Sequence, residues 1–133
     1  MHLRTGQPVG TLLDSLSAFW PGLQVLAGDV ENAIKSHLVY WHLWQKHSCL
    51  PEGFNYVNKT VEWSGYPLRP EFIESTYHLY RATRDTFYLE VGKRILKDLT
   101  KRTKVRCGFA VLHNIFSGAV RLIALGPCAW NEG

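Results

Sequence analysis

The residues best suited to chemistry cluster between Tyr66 and Tyr80, where the chain reads YPLRPEFIESTYHLY. Two carboxylates, Glu71 and Glu74, stand three residues apart and follow Arg69 closely. That spacing puts both acids on one face of a helix. Pro70 suits a first helical position, because its missing N–H would be unpaired there anyway. A helix is therefore expected over about residues 70–83, with an arginine and two acids at its mouth. Such a cluster could bind a hydroxylated ligand or activate water. The bland alternative is that the acids only complement the positive end of the helix dipole.

The rest of the chain must position that mouth. Residues 1–12 read as a loop broken by Gly6, Pro8 and Gly10. An apolar run to Trp20 meets a Pro-Gly break, and a short helix stops at Gly28. Asp29 is a good N-cap for a helix over 30–47, whose stripe is Val30, Ile34, Leu38, Trp41 and Trp44. His37, His42 and His47 repeat every five residues, off one line, and are expected at the surface or rim rather than on a metal. Leu50-Pro51-Glu52-Gly53 ends this helix. Alternating apolar residues from Phe54 to Trp63 permit a short hairpin. After the central helix, Asp85 caps another, with the stripe Phe87, Tyr88, Val91, Ile95 and Leu99. Residues 104–112 suit an extended segment, and the weakly patterned tail takes no assigned role. Helices joined this way form antiparallel hairpins that need neighbours to bury their apolar faces. The expected class is all-α with a short β-hairpin, as part of a helical array or α/α barrel.

The 133 residues, 46% hydrophobic, suffice for one modest core. The net charge of +4 owes much to Lys93, Arg94, Lys97, Lys101, Arg102, Lys104 and Arg106. These alternate with apolar residues at helical spacing, which describes a solvated face; no nucleic-acid signature accompanies them. Cys49, Cys107 and Cys128 lack zinc-site spacing, and an odd count leaves a thiol free or paired with another molecule. Asn58-Lys59-Thr60 is an N-glycosylation acceptor pattern. The first ten residues have no signal-peptide core, and no apolar run could span a bilayer, so a secretory role would require targeting from outside this chain.

Several segments together resemble the class I α1,2-mannosidases, glycoside hydrolase family 47. They are DSLSAFWPGLQVLAGDVENAI, LPEGFNY, YPLRPEFIESTYHLYRATRDTFYLEVGKRIL and TKVRCGFA, spread between about Gly6 and Asn114. The likeness is narrower to the endoplasmic-reticulum degradation-enhancing α-mannosidase-like branch. It implies a partial (α/α)7 barrel over residues 1–114, with 115–133 as a divergent tail. It implies a calcium-dependent, inverting enzyme that trims mannose from high-mannose N-glycans on misfolded glycoproteins in the endoplasmic reticulum lumen. By motif, Glu71 is the catalytic base and Glu52 a second catalytic carboxylate, sometimes cast as proton donor. Arg69, Asp14 and Ser15 would contact substrate, and Glu74 would reach calcium through water. An oxidoreductase partner through a cysteine is a further implication. The alternative is a lectin-like quality-control factor that binds mannose without hydrolysis.

The departures matter too. Ser15 stands where the glycan-processing enzymes carry His, Ala18 where they carry Cys, and Cys107 matches the degradation branch. The family domain is much longer, and its upstream acid and calcium-binding threonine have no counterpart here. Trp41, Trp44, Phe72, Tyr77 and Tyr80 would then lose partners. Each exposed large side chain forfeits about 1.5–3 kcal/mol, against a total stability of about 5–15 kcal/mol. The chain alone is expected to be marginally folded and inactive.

Overall fold

A computed structural model describes residues 10–106 and 108–121. The first strand, β1 (Leu12–Asp14), leads into a 3-10 turn at Ser15–Phe19 and a short helix, α1 (Trp20–Leu26). The long helix α2 (Val30–His47) follows, and then strands β2 (Gly53–Asn55) and β3 (Thr60–Trp63). Helix α3 (Glu71–Thr83) is joined by a tight turn to α4 (Phe87–Thr103). Four short strands close the described chain: β4 (Lys104–Val105), β5 (Gly108–Phe109), β6 (Val111–Asn114) and β7 (Ala119–Arg121).

Local chemistry accounts for the helix limits. Asp29 accepts from the Asn32 amide at the start of α2, and Ser48 ends the helix in the left-handed region. Arg84 ends α3 the same way, donating its amide to the Tyr80 carbonyl. The expected cap at Asp85 is made through the Phe87 amide, at 2.8 Å. Pro70 is not inside α3: it holds the cap position, and Glu71 takes the first helical place. The expected hairpin forms as β2–β3, because Asn55 Oδ1 accepts from the amides of Val57 and Asn58, both at 3.1 Å.

One element was not legible. Residues 12–14, read as loop or apolar run, form β1 and pair antiparallel with β2, so the hairpin is a three-stranded sheet. Near the other end, the expected extended segment becomes the β4–β5 pair and β6, which pairs with β7 across residue 114.

Helix α3 is central, packed by α1, α2 and α4. Ser75 ties it to the preceding 3-10 turn: its Oγ donates to the Ala18 carbonyl and accepts from the Gly22 amide. A Cβ on Gly22 would lie 3.1 Å from that hydroxyl, so the close approach asks for glycine. Phe72 stacks on Trp44 and on His37, and Trp44 donates through Nε1 to Asp98 at 3.1 Å. Trp44 and Phe72, expected to lack partners, are fully buried within this chain, whereas Tyr77 is half-exposed.

The stripe of α2 is rotated from expectation. Ala33, His37, Tyr40, Leu43 and Trp44 are buried, while Leu38 and Val39 face outward. His42 is exposed and His47 half-buried, but His37, expected at the surface, is 0% exposed. Its neighbours select it: Thr76 supplies a hydrogen-bond partner at 2.8 Å and Phe72 a stacking face. Nor is the basic face of α4 wholly solvated. Arg102 turns inward, donating to the carbonyls of His47 and Ile115, and so fastens the end of α2 to the β6–β7 hairpin.

Candidate functional site

The sheet and the mouth of α3 bring three of the expected residues, Ser15, Glu52 and Arg69, into direct contact. Glu52 lies just before β2, its amide bonded to the Gly65 carbonyl and its carbonyl accepting from the Ser15 amide. Its carboxylate accepts from Ser15 Oγ at 3.2 Å and from Arg69 twice, at 2.5 and 3.3 Å. The two-point guanidinium–carboxylate contact fixes orientation as well as charge. Arg69 reaches Glu52 because the preceding Leu68 is left-handed, with φ 61°. A bulky side chain rarely adopts that conformation, and the surrounding structure must hold it there. Tyr66 helps: its hydroxyl donates to the Arg69 carbonyl at 3.3 Å, and its backbone pairs with Leu112 on β6.

Arg69 therefore holds Glu52, seventeen residues earlier in sequence, rather than an acid of its own helix mouth. The hydrogen bonds that Arg69 donates to Glu52 raise its pKa, burial opposes the rise, and the charges of Glu52, Glu71 and Asp14 add to it. Asp14 caps the 3-10 turn through the Leu16 amide at 2.8 Å. Glu71 is half-buried, and its Oε2 is buried with no hydrogen-bond partner among the described residues. Burial raises the Tyr66 hydroxyl above its ordinary pKa, with Cys49 and Glu71 adding to the effect, so it stays a neutral donor. Tyr66 was missed as a site residue; its only sequence signal is its place immediately before the Pro-Leu-Arg-Pro run.

Glu74 departs from this group. Its side chain is 63% exposed and lies 3.7 Å from His78 Nε2 on the same helix. Calcium takes roughly six to eight oxygen ligands. Among the described residues no group of three or more His, Cys, Asp or Glu converges as a metal cage. Glu74 and its neighbours do not form such a site by themselves. Asn58 is exposed at the turn of the β2–β3 hairpin. Cys49 is buried, and burial pushes its thiol up to about 11, which suits packing better than exchange chemistry. Cys107 and Cys128 lie outside the described residues.

Two clefts flank the area. One of about 220 Å³ opens beside Glu52, Tyr66 and His113. A larger one, about 540 Å³, lies along the outer face of α2 beside Leu38, Val39 and Phe54 and includes none of the expected site residues. Of these two clefts only the smaller carries an expected site residue, Glu52, which makes it the candidate; Glu71, Arg69 and Asp14 do not line it.

The described helices pair in the manner of an α/α barrel that carries a carboxylate-and-arginine site at a helix mouth. The chain superposes on the alpha-1,2-mannosidase from Trichoderma reesei with a TM-score of 0.75 at 20% identity, covering 86% of this chain and 30% of that one. The sequence model of glycosyl hydrolase family 47 matches residues 2–121. The chain is 50% identical over 115 residues to ER degradation-enhancing alpha-mannosidase-like protein 1 of Schizosaccharomyces pombe. It is 49% identical over 109 residues to the human ER degradation-enhancing alpha-mannosidase-like protein 3. These matches cover 86% and 82% of this chain but only 15% and 12% of the relatives. The chain belongs to glycosyl hydrolase family 47, in its ER degradation-enhancing α-mannosidase-like branch, and is built as part of an (α/α)7 barrel.

Proposed function

We propose that this chain forms part of the mannose site of an α1,2-mannosidase that trims N-glycans of misfolded glycoproteins in the endoplasmic reticulum. The observation that carries this reading is the buried, unpartnered Oε2 of Glu71 beside the Arg69–Glu52 pair. A buried polar atom without a partner is costly unless something fills the vacancy. A carboxylate oxygen there can accept a proton from water and aim it at an anomeric carbon, as inversion requires of its general base.

Glu52 takes a different part. Both its oxygens accept hydrogen bonds, Oε2 from Ser15 and Arg69 and Oε1 from Arg69. It acts as a positioning residue: it holds Arg69 and Ser15 and leaves Glu71 free. Asp14 offers a carboxylate to sugar hydroxyls, while Ser15, buried and bonded to Glu52, supports the wall behind. The acid that protonates the leaving oxygen is not assigned to a residue of this chain. Toward calcium, Glu74 would contribute one water-mediated contact. Attachment of glycan at Asn58 and pairing of a cysteine with an oxidoreductase belong to the same reading and await their own tests.

Two measurements test it. The purified chain should bind α1,2-mannobiose saturably, and absence of binding overturns the carbohydrate reading. In a family-length protein carrying this segment, Glu71→Gln should abolish mannose release while binding persists. Unchanged disposal of misfolded clients by that variant would favour the lectin-like alternative.

A further inference from the structure

The register of the three-stranded sheet lines up three residues on one face. Asp14 on β1 opposes Gly53 on β2, and Gly53 opposes Trp63 on β3. Neighbouring strands lie about 4.8 Å apart, and directly opposed residues point the same way. The row therefore reads carboxylate, gap, indole. Gly53 makes the gap. A Cβ there would sit 2.6 Å from Trp63 Cε3 and 3.1 Å from Cδ2, so the indole packs over the glycine in the space a side chain would take. Despite that contact Trp63 is 56% exposed. Residues of the polar cluster flank the row in sequence: Ser15 follows Asp14 at the end of β1, and Glu52 precedes Gly53 on the central strand β2.

We propose that Trp63 is a stacking platform for a sugar ring of the glycan, with Asp14 receiving that ring's hydroxyls. The inference rests on the mannose reading above and adds a residue and a subsite to it. A pyranose has an apolar C–H face and a hydroxyl-bearing rim. A flat, half-exposed indole covers the first, and a carboxylate one strand spacing beyond the glycine accepts from the second. Gly53 is then the residue that sets the height of the platform, and the sheet register sets its distance from the acid.

The test follows the tryptophan indole N–H signals of the chain by NMR during titration with α1,2-mannobiose. Trp63→Phe identifies the Trp63 signal and keeps an aromatic face. The Trp63 signal should move with saturation. Trp63→Ala should weaken binding about tenfold, equivalent to about 1.4 kcal/mol, and Trp63→Phe by less. Trp20→Ala, another half-exposed indole, placed on α1, should leave affinity unchanged. Signal dispersion in the same spectra reports whether each variant is folded. Binding that shifts other residues while the Trp63 signal stays still, or Trp63→Ala binding like wild type, overturns the platform and leaves the mannose reading standing. No shifts anywhere overturn both.

Discussion

Glu71 and His37 each carry a buried polar atom with no hydrogen-bond partner, Oε2 in one and Nδ1 in the other. They differ in what surrounds them. His37 sits wholly inside the core, stacked on Phe72, edge-on to Tyr88 and bonded through Nε2 to Thr76. Burial lowers its pKa to about 4, so near neutral pH the ring is uncharged and the deficit is one neutral nitrogen rather than a charge. Glu71 lies half-buried at a helix mouth beside a guanidinium that already serves another acid. The same deficit is structural in one place and suited to a ligand in the other. Charge, an opening and a neighbour already committed elsewhere make the distinction, and burial alone does not.

Breaking the comparison at Glu71 should have the largest effect. In a family-length protein, Glu71→Gln is expected to cut mannose release by about 10²–10⁴-fold while the denaturation midpoint barely moves. A large fall in stability instead would class Glu71 with His37. At the core end, Phe72→Ala removes the ring between His37 and Trp44 and should cost about 3–5 kcal/mol, read from urea unfolding of the chain. That is much of the stability available to a domain of this size, and a near-neutral result would contradict the packing described.

The pH dependence sharpens the contrast further. His37 has a folded pKa of about 4, below its unfolded value of 6.5. Its contribution is fully present above pH 6.5 and is lost as pH falls through that window toward 4, because the unfolded state binds the proton first. The loss is about 3 kcal/mol. His37→Gln, which can keep the Thr76 contact without titrating, should flatten that part of the stability–pH curve. The smallest effect concerns the committed neighbour. Arg69→Lys gives up the two-point contact with Glu52, and with both side chains about a third exposed the stability cost should be about 1 kcal/mol or less. Sugar affinity should fall more than stability does, since Glu52 would no longer be held in place.

Much of this was legible beforehand. Asp29 and Asp85 mark helix starts, and the apolar period marks their lengths, because capping and i,i+4 packing act within a few residues. The Leu-Arg-Pro-Glu run and its companions carry the family. The misreadings share one cause. The α2 stripe was drawn from hydrophobicity, so Leu38 was placed inside and His37 outside. Burial of His37 depends on Thr76 and Phe72, which only packing brings near. Strand β1 is three residues long and has no pattern of its own; β2 selects it.

The sequence by itself determined which residues could do chemistry, where the helices run and to which family the chain belongs, because these follow from local backbone preference and residue type. Only the tertiary structure decided that Arg69 serves Glu52 and leaves Glu71 an unpartnered oxygen, and that Asp14, Gly53 and Trp63 share one row. Those pairings join residues 10 to 39 positions apart across a sheet register and a helix mouth, distances over which no local preference acts.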